Sequence, residues 1–150
     1  MIFEIILSTV DSKGKVNFAP FGIKKSRKFV FISPYFPSKT LTNLKQTRIA
    51  TANYTNDASF FVKCIVGEKN FQKKKCEKID GYFLNDCLSH DELVVESFKE
   101  DNIRPKFKCR IVKTANHKRF EGFNRAQSSI LEACILATRV KFLKKKKNSN

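Results

Sequence analysis

Ser38, Lys39 and Thr40, followed by Asn43, are the residues of this chain whose types and spacing best fit a chemical task. They stand just after Ser33-Pro34-Tyr35-Phe36-Pro37, where two prolines stop the strand-like run Lys28-Phe29-Val30-Phe31-Ile32. Ser38 occupies the place of a helix N-cap, and Lys39 to Leu44 read as the first turns of a helix. The first N–H groups of a helix have no internal partner, and the helix dipole is positive there. Two hydroxyls and an ammonium at that point make a seat for a phosphate. The same residues also fit an ordinary capped helix with exposed polar side chains, and the stretch alone leaves both readings open.

The elements that must position this corner come before and after it. Residues 3–10 form a strand by β-branched and aromatic content. Asp11-Ser12-Lys13-Gly14-Lys15 is a hairpin loop, with Gly14 suited to a positive φ. Val16 to Ile23 returns as a second strand. Pro20 removes a ladder donor there, so this strand lies at an edge or breaks. Gly22 lets something approach the backbone closely, either a flat ligand or a neighbouring part of a bulged strand. Residues 29–32 are the third strand, 38–46 a short helix and 49–55 the next strand. Asp57 can cap a second helix over 58–65, which Gly67 ends.

The remainder is less even. The Lys-rich stretch 68–91 reads as a peripheral insertion or lid, helical in part. Residues 93–98 and 107–113 are two neighbouring strands. In the second, Phe107, Cys109 and Ile111 share one face, as in a half-solvated antiparallel sheet. The clearest helix is 124–140, opened by an Asn124–Gln127 capping box. Its apolar stripe is Ala126, Ile130, Ala133, Ala137 and Val140. Arg125, Glu132 and Arg139 line up along one side, as a solvated face, a buried site or a dimer seam. Residues 144–150 are expected to be a disordered polybasic tail. Antiparallel hairpins with helices at the corners point to a mainly β (α+β) chain, a small barrel with attached helices.

Composition bounds the function. The chain has 150 residues, of which 41% are hydrophobic and 15 are Phe, enough for one domain with a real core. No apolar run approaches the ~20 residues of a membrane span. Five scattered cysteines, an odd count with no C-x-x-C pair, point to free thiols in the cytoplasm. No metal centre is expected, and nothing in the sequence places His90 or His117 beside a cysteine. The excess of 30 basic over 14 acidic residues gives +16, which allows nucleic acid or another acidic partner. The lysines are scattered, however, and neither an RNA-recognition motif nor a helix-turn-helix is present. A solvated Lys-rich surface is the favoured reading over nucleic-acid binding. No dinucleotide fingerprint, phosphate-binding lysine loop or nucleophile elbow occurs.

Taken together, Asn17-Phe18-Ala19-Pro20-Phe21, Ser33-Pro34, Ser38-Lys39-Thr40-x-x-Asn43-Leu44 and Ala52-Asn53 resemble the FMN-binding split-barrel proteins related to flavin reductases. The best match is the branch called domain of unknown function four-four-seven. Its members end in a helix similar to Gly122-Phe123-Asn124-Arg125-Ala126, Glu132-Ala133, Ile135 and Ala137-Thr138-Arg139. The resemblance runs from Glu4 to about Leu143 and is weakest over 68–91, so that 1–143 would be one domain.

The resemblance implies a dimeric split antiparallel β-barrel with peripheral helices and a long C-terminal helix, holding FMN near the subunit interface. Asn17, Ala19 and Phe21 would lie along the ring and ribityl chain. Ser38, Lys39, Thr40 and Asn43 would hold the phosphate, Asn53 would meet the flavin from the following strand, and Ser33 joins the cofactor-binding candidates. Arg104, Arg125 and Lys24 are candidates, by residue type, to stabilise a reduced flavin. No catalytic residue is named. NAD(P)H or a small redox partner is the implied electron donor to a flavin-reductase-like oxidoreductase. A non-catalytic flavin-binding protein and a basic nucleic-acid-binding module are the alternatives.

Overall fold

The computed structural model describes residues 1–148, with side chains described through residue 140. In chain order the elements are β1 (Phe3–Val10), β2 (Val16–Lys25), β3 (Phe29–Ile32), α1 (Lys39–Thr47), β4 (Ile49–Tyr54) and α2 (Ser59–Val66). They continue as β5 (Lys73–Lys75), β6 (Tyr82–Leu84), β7 (Ser89–Lys99), β8 (Lys106–Asn116) and α3 (Arg125–Asn148). Six strands close a barrel in the order β1-β2-β3-β8-β7-β4, every neighbour antiparallel. The expected split antiparallel barrel with peripheral helices is therefore the observed architecture. No helix among the described residues is long and apolar enough to cross a membrane.

The barrel forms because alternate residues on each strand meet inside it. Ile5, Leu7, Ile23, Val30, Ile32, Ala50, Ala52, Leu93, Val95, Phe107 and Cys109 make the interior, with Leu41 and Leu44 of α1 joining them. Burying each Leu of α1 contributes roughly 1.5–3 kcal/mol, which seats the helix at this end of the barrel. β1 is buried on both faces, because Ile6 points outward into a second cluster with Phe18, Phe60, Phe61, Phe71 and Leu84.

Local signals account for the first half of the chain. In the β1–β2 turn, Asp11 Oδ1 accepts the N–H groups of Lys13 and Lys15, both at 2.9 Å, and Gly14 takes φ +84°. β2 pairs with β3 only at Lys24 and Lys25. Pro20, opposite Ile6, thus sits where β2's other side carries no strand, as its missing donor requires. What approaches Gly22 is the chain itself, for a Cβ there would come 2.9 Å from Ile2 Cγ2 and 3.2 Å from Glu4 Oε1.

Three expectations need correction. Residues 68–91 contain no helix; the segment forms the antiparallel β5–β6 hairpin and the start of β7. It is fastened to the outer wall of the barrel, because Leu84 N–H donates to Asn53 Oδ1 at 2.7 Å and Ser8 Oγ donates to the Tyr82 carbonyl at 2.7 Å. The inward face of α3 is also different from the apolar stripe expected. Cys134 is buried and Leu131 half-buried against the second cluster, while Ile130, Leu136 and Val140 are exposed. Asn124 Oδ1 caps Gln127 N–H at 3.2 Å, but the Gln127 side chain leaves the box and accepts Ala58 N–H at 2.6 Å. The disordered tail expected over 144–150 is also corrected as far as Asn148, because α3 continues to that residue, and 149–150 lie outside the described residues.

Candidate functional site

The corner where α1 begins is built as its sequence demands. Ser38 is extended (φ −154°, ψ 154°), and its Oγ accepts the N–H of Leu41 at 3.2 Å. No acidic residue lies in the first turn, so the positive end of the helix is not neutralised from within. Thr40 is buried and Lys39 exposed beside it. Asn17, at the start of β2, points its Nδ2 at Thr40 Oγ1, 3.5 Å away. Lys39, Thr40 and Asn17, three of the expected phosphate and ribityl residues, thus stand together beside the Ser38 cap.

A fourth participant comes from the loop after α2. Lys69 Nζ donates to Asn17 Oδ1 at 3.2 Å and to the Phe18 carbonyl at 2.9 Å. A cleft of about 830 Å³ opens here, lined among others by Lys15, Lys39, Lys63, Lys69 and Lys73 with Glu68 as the one carboxylate. On the other side of Lys39 a groove of about 590 Å³ runs along Asp11, Lys13, Ser38 and Thr42. Lys39 stands on the ridge between them. Five ammonium groups against one carboxylate make the cleft a place for an anion.

The other expected residues are placed differently. Ala19 and Phe21 are half-buried on β2. Asn43 is buried, and its Nδ2 donates to Thr9 Oγ1 at 3.0 Å, tying α1 to β1. Asn53 is fully buried. Its Nδ2 donates to the Ile6 carbonyl at 2.9 Å and to Ser8 Oγ at 3.0 Å, and its Oδ1 accepts Leu84 N–H. Both ends of that amide are engaged in joining β1, β4 and β6. The carbonyl of Ser33 accepts Arg104 Nε at 2.8 Å, and the Arg104 guanidinium lies 4.5 Å from the centre of the Tyr35 ring.

A second concentration of polar residues lies beneath the β5–β6 hairpin. Glu92 is 1% exposed, and its carboxylate accepts the N–H groups of Glu77 (3.1 Å) and Lys78 (2.6 Å). It also lies 2.9 Å from His90 Nε2. Burial pushes the Glu92 carboxyl up, but the bonds from His90, Lys78 and Glu77 outweigh burial and hold it below the ordinary carboxylate range. His90 Nδ1 faces His117 Nε2 at 2.7 Å. Cys87 and Cys76 stand close by, so both histidines do lie beside cysteines. The Cys87-x-x-His90 spacing is the signal that points to this grouping in the sequence. Burial pushes the thiols up, Cys64 and Cys76 to about 11 and Cys87 and Cys109 to about 12, which removes them as nucleophiles near neutral pH.

A third carboxylate, Asp91, is turned into the barrel. It accepts Tyr54 Oη at 2.6 Å and Thr114 Oγ1 at 2.6 Å, and pairs with Lys25 Nζ at 3.0 Å. Burial, then the bond and charge of Asp91, push the Tyr54 phenol far up, so it stays protonated and serves as a fixed donor. This group ties β2, β4, β7 and β8 together at one end of the barrel.

The comparisons with known proteins agree with this architecture. The FMN-bound protein MM1853 from Methanosarcina mazei, assigned to DUF447, superposes with a TM-score of 0.77 at 21% identity, over 97% of this chain and 78% of that one. Flavoredoxin from Methanosarcina acetivorans gives 0.67 at 15% identity, over 84% and 76% of the two chains. The FMN-binding protein from Thermus thermophilus gives 0.66 at 13%, over 79% and 74%. These likenesses establish a shared split-barrel fold. No curated protein matches the chain. The family described as protein of unknown function (DUF447), N-terminal domain, matches residues 3–118, which takes in all eight strands and leaves α3 outside. This chain belongs to the DUF447 N-terminal domain family.

Proposed function

We propose that the chain binds FMN and works as a flavin-reductase-like oxidoreductase. The observation that carries this reading is the open, cationic start of α1, in a fold shared with an FMN-bound member of the same family. Lys39 and the first N–H groups of α1 would neutralise the phosphate, with the Thr40 hydroxyl beside them. Lys69, held by Asn17 and the Phe18 carbonyl, adds a second ammonium without having to be ordered on binding. Asn17, Ala19 and Phe21 offer the free side of β2 to the sugar chain and ring. Ser38 acts through its cap, which fixes the helix start. Asn43 and Asn53 hold the surrounding frame. FMN, when bound, supplies hydride and electron transfer, and the protein supplies position and electrostatics.

The assembly implied is a homodimer. α3 packs chiefly on α2 and presents Ile130, Leu136 and Val140 to the outside, and Phe120 and Phe123 just before it are also exposed. An apolar surface of this kind is what a second copy would cover.

The test is direct. The purified chain incubated with FMN and passed through a desalting column should remain yellow. Under anaerobic NADH or NADPH the colour should bleach. Retained colour without bleaching would support a flavin carrier or sensor instead. Loss of all colour on desalting would overturn the flavin reading. Strongly salt-dependent binding to random duplex would then favour the nucleic-acid alternative.

A further inference from the structure

The polar layer beneath the β5–β6 hairpin also assembles a set of metal-ligand atoms that flavin binding does not use. Cys87 Sγ and one ring nitrogen each of His90 and His117 all lie within 4.8 Å of one another. Cys87 and His90 are three residues apart, Cys87 just before β7 and His90 its second residue. His117 follows the last residue of β8, whose Ala115 pairs with His90. The sheet register therefore brings together ligands that lie far apart in the chain.

The histidine at the centre of this set is oriented as metal-binding imidazoles are. Glu92, itself held by two backbone N–H groups, faces His90 Nε2 at 2.9 Å. The Glu92 carboxylate accepts the hydrogen bond of Nε2–H, so that Nδ1 carries the lone pair, the arrangement that aims and strengthens a ligating histidine. Phe83 stacks on both rings, with centroids 4.1 Å from His90 and 4.8 Å from His117 and interplanar angles of 10° and 4°. Both rings are thereby held nearly coplanar, at 8° to each other.

We propose that Cys87, His90 and His117 form a site for one zinc-class divalent cation, with Glu92 as the orienting carboxylate. A thiolate with two imidazoles is the borderline-soft donor set such a cation prefers. Tetrahedral coordination places neighbouring ligand atoms about 3.3–3.6 Å apart with both lone pairs on one ion, so the His90–His117 gap of 2.7 Å has to open by about 0.6 Å and the His117 ring has to turn out of its stack on Phe83. His117 is the exposed member and can make that movement. Binding releases the Cys87 thiol proton to solvent and shifts the His117 proton from Nε2 to Nδ1. Three protein ligands leave a fourth position for water or a substrate atom. The adjoining set Cys76, His90 and Glu92 is wholly buried. A cation there would have to displace the backbone donors that already hold Glu92, so the Cys87 set is the one chosen.

The probe is Co²⁺, added to the full-length chain after treatment with a chelator and read as a difference spectrum. One equivalent should produce a thiolate-to-cobalt charge-transfer band and the intense visible bands of a four-coordinate ion, both erased by Zn²⁺. Cys87→Ser should remove the charge-transfer band. His117→Ala, at an exposed position, keeps the fold by circular dichroism and should weaken cobalt binding at least ~10-fold. Glu92→Gln should weaken it by roughly 10–100-fold. No saturable band in the native chain would overturn the proposal. A charge-transfer band that survives Cys87→Ser, or unchanged affinity in folded His117→Ala, would also overturn it.

Discussion

The start of α1 and the layer beneath the β5–β6 hairpin are made from the same kinds of residue and differ in how those residues are completed. Around α1, Lys39, Lys69 and Asn17 converge on a surface cleft where five lysines face one carboxylate. Beneath the hairpin, Ser8, Asn53 and Glu92 are each no more than 2% exposed, and their polar atoms meet one another, His90 or the backbone, while His90 turns Nδ1 to the exposed His117. Among the described residues no buried side-chain polar atom lacks a partner. Burial with every bond made marks a polar group as part of the frame. Uncompensated charge gathered at a surface marks a place that something else completes. By that rule Asn53 and Asn43 belong to the frame, and Lys39 and Lys69 are the residues that the proposed flavin phosphate would meet. His117 is where the two kinds of region meet, since it carries the buried network out to solvent.

The largest effect should come from the frame. Asn53→Leu strands the Leu84 N–H and removes a donor from the Ile6 carbonyl and Ser8 Oγ. Stability in urea should fall by about 3 kcal/mol, with FMN affinity of the folded fraction unchanged. Weakened FMN binding at unchanged stability would move Asn53 into the site and break the contrast. Lys39→Ala should do the reverse. FMN affinity should drop roughly 10–150-fold, the value of a charge-assisted bond of about 1.5–3 kcal/mol, while stability stays within about 0.5 kcal/mol. Ser38→Ala removes the cap on Leu41 N–H and should lower stability by about 1 kcal/mol; equilibrium denaturation would show it. Lys69→Ala should weaken FMN about 3–10-fold, less than Lys39→Ala because it lies outside the helix field. Calorimetry on both variants would rank the two lysines.

The barrel was readable where local pattern decides it. β1 to β4 and α1 follow from alternation, the Asp11–Gly14 turn and the Ser38 cap, all of which act within a few residues. The β5–β6 hairpin was not readable, for β5 is three lysines with no apolar residue. Its surroundings are held by Glu92 and Asn53, which lie 14–15 and 31 residues away in sequence. The inward face of α3 is not legible in the sequence, because Leu131 and Cys134 pack against α2-side residues that no periodicity within the helix can identify. Ser38, Lys39, Thr40 and Asn17 are marked in the sequence by the helix start and the family resemblance. Lys69 carries no such mark, because only tertiary folding brings the loop after α2 to Asn17. The pairing of His90 with His117 depends on the β7–β8 register, which a bulge shifts between Glu92 and Leu93.

The central claim is that the cationic start of α1 grips the phosphate of a flavin. Calorimetric titration of the native chain and of Lys39→Ala with FMN and with riboflavin, which lacks only the phosphate, tests it most directly. The native chain should bind FMN at least ~10-fold more tightly than riboflavin, and Lys39→Ala should remove most of this preference. Equal affinity for the two flavins in the native chain, or a preference that survives Lys39→Ala intact, would contradict it.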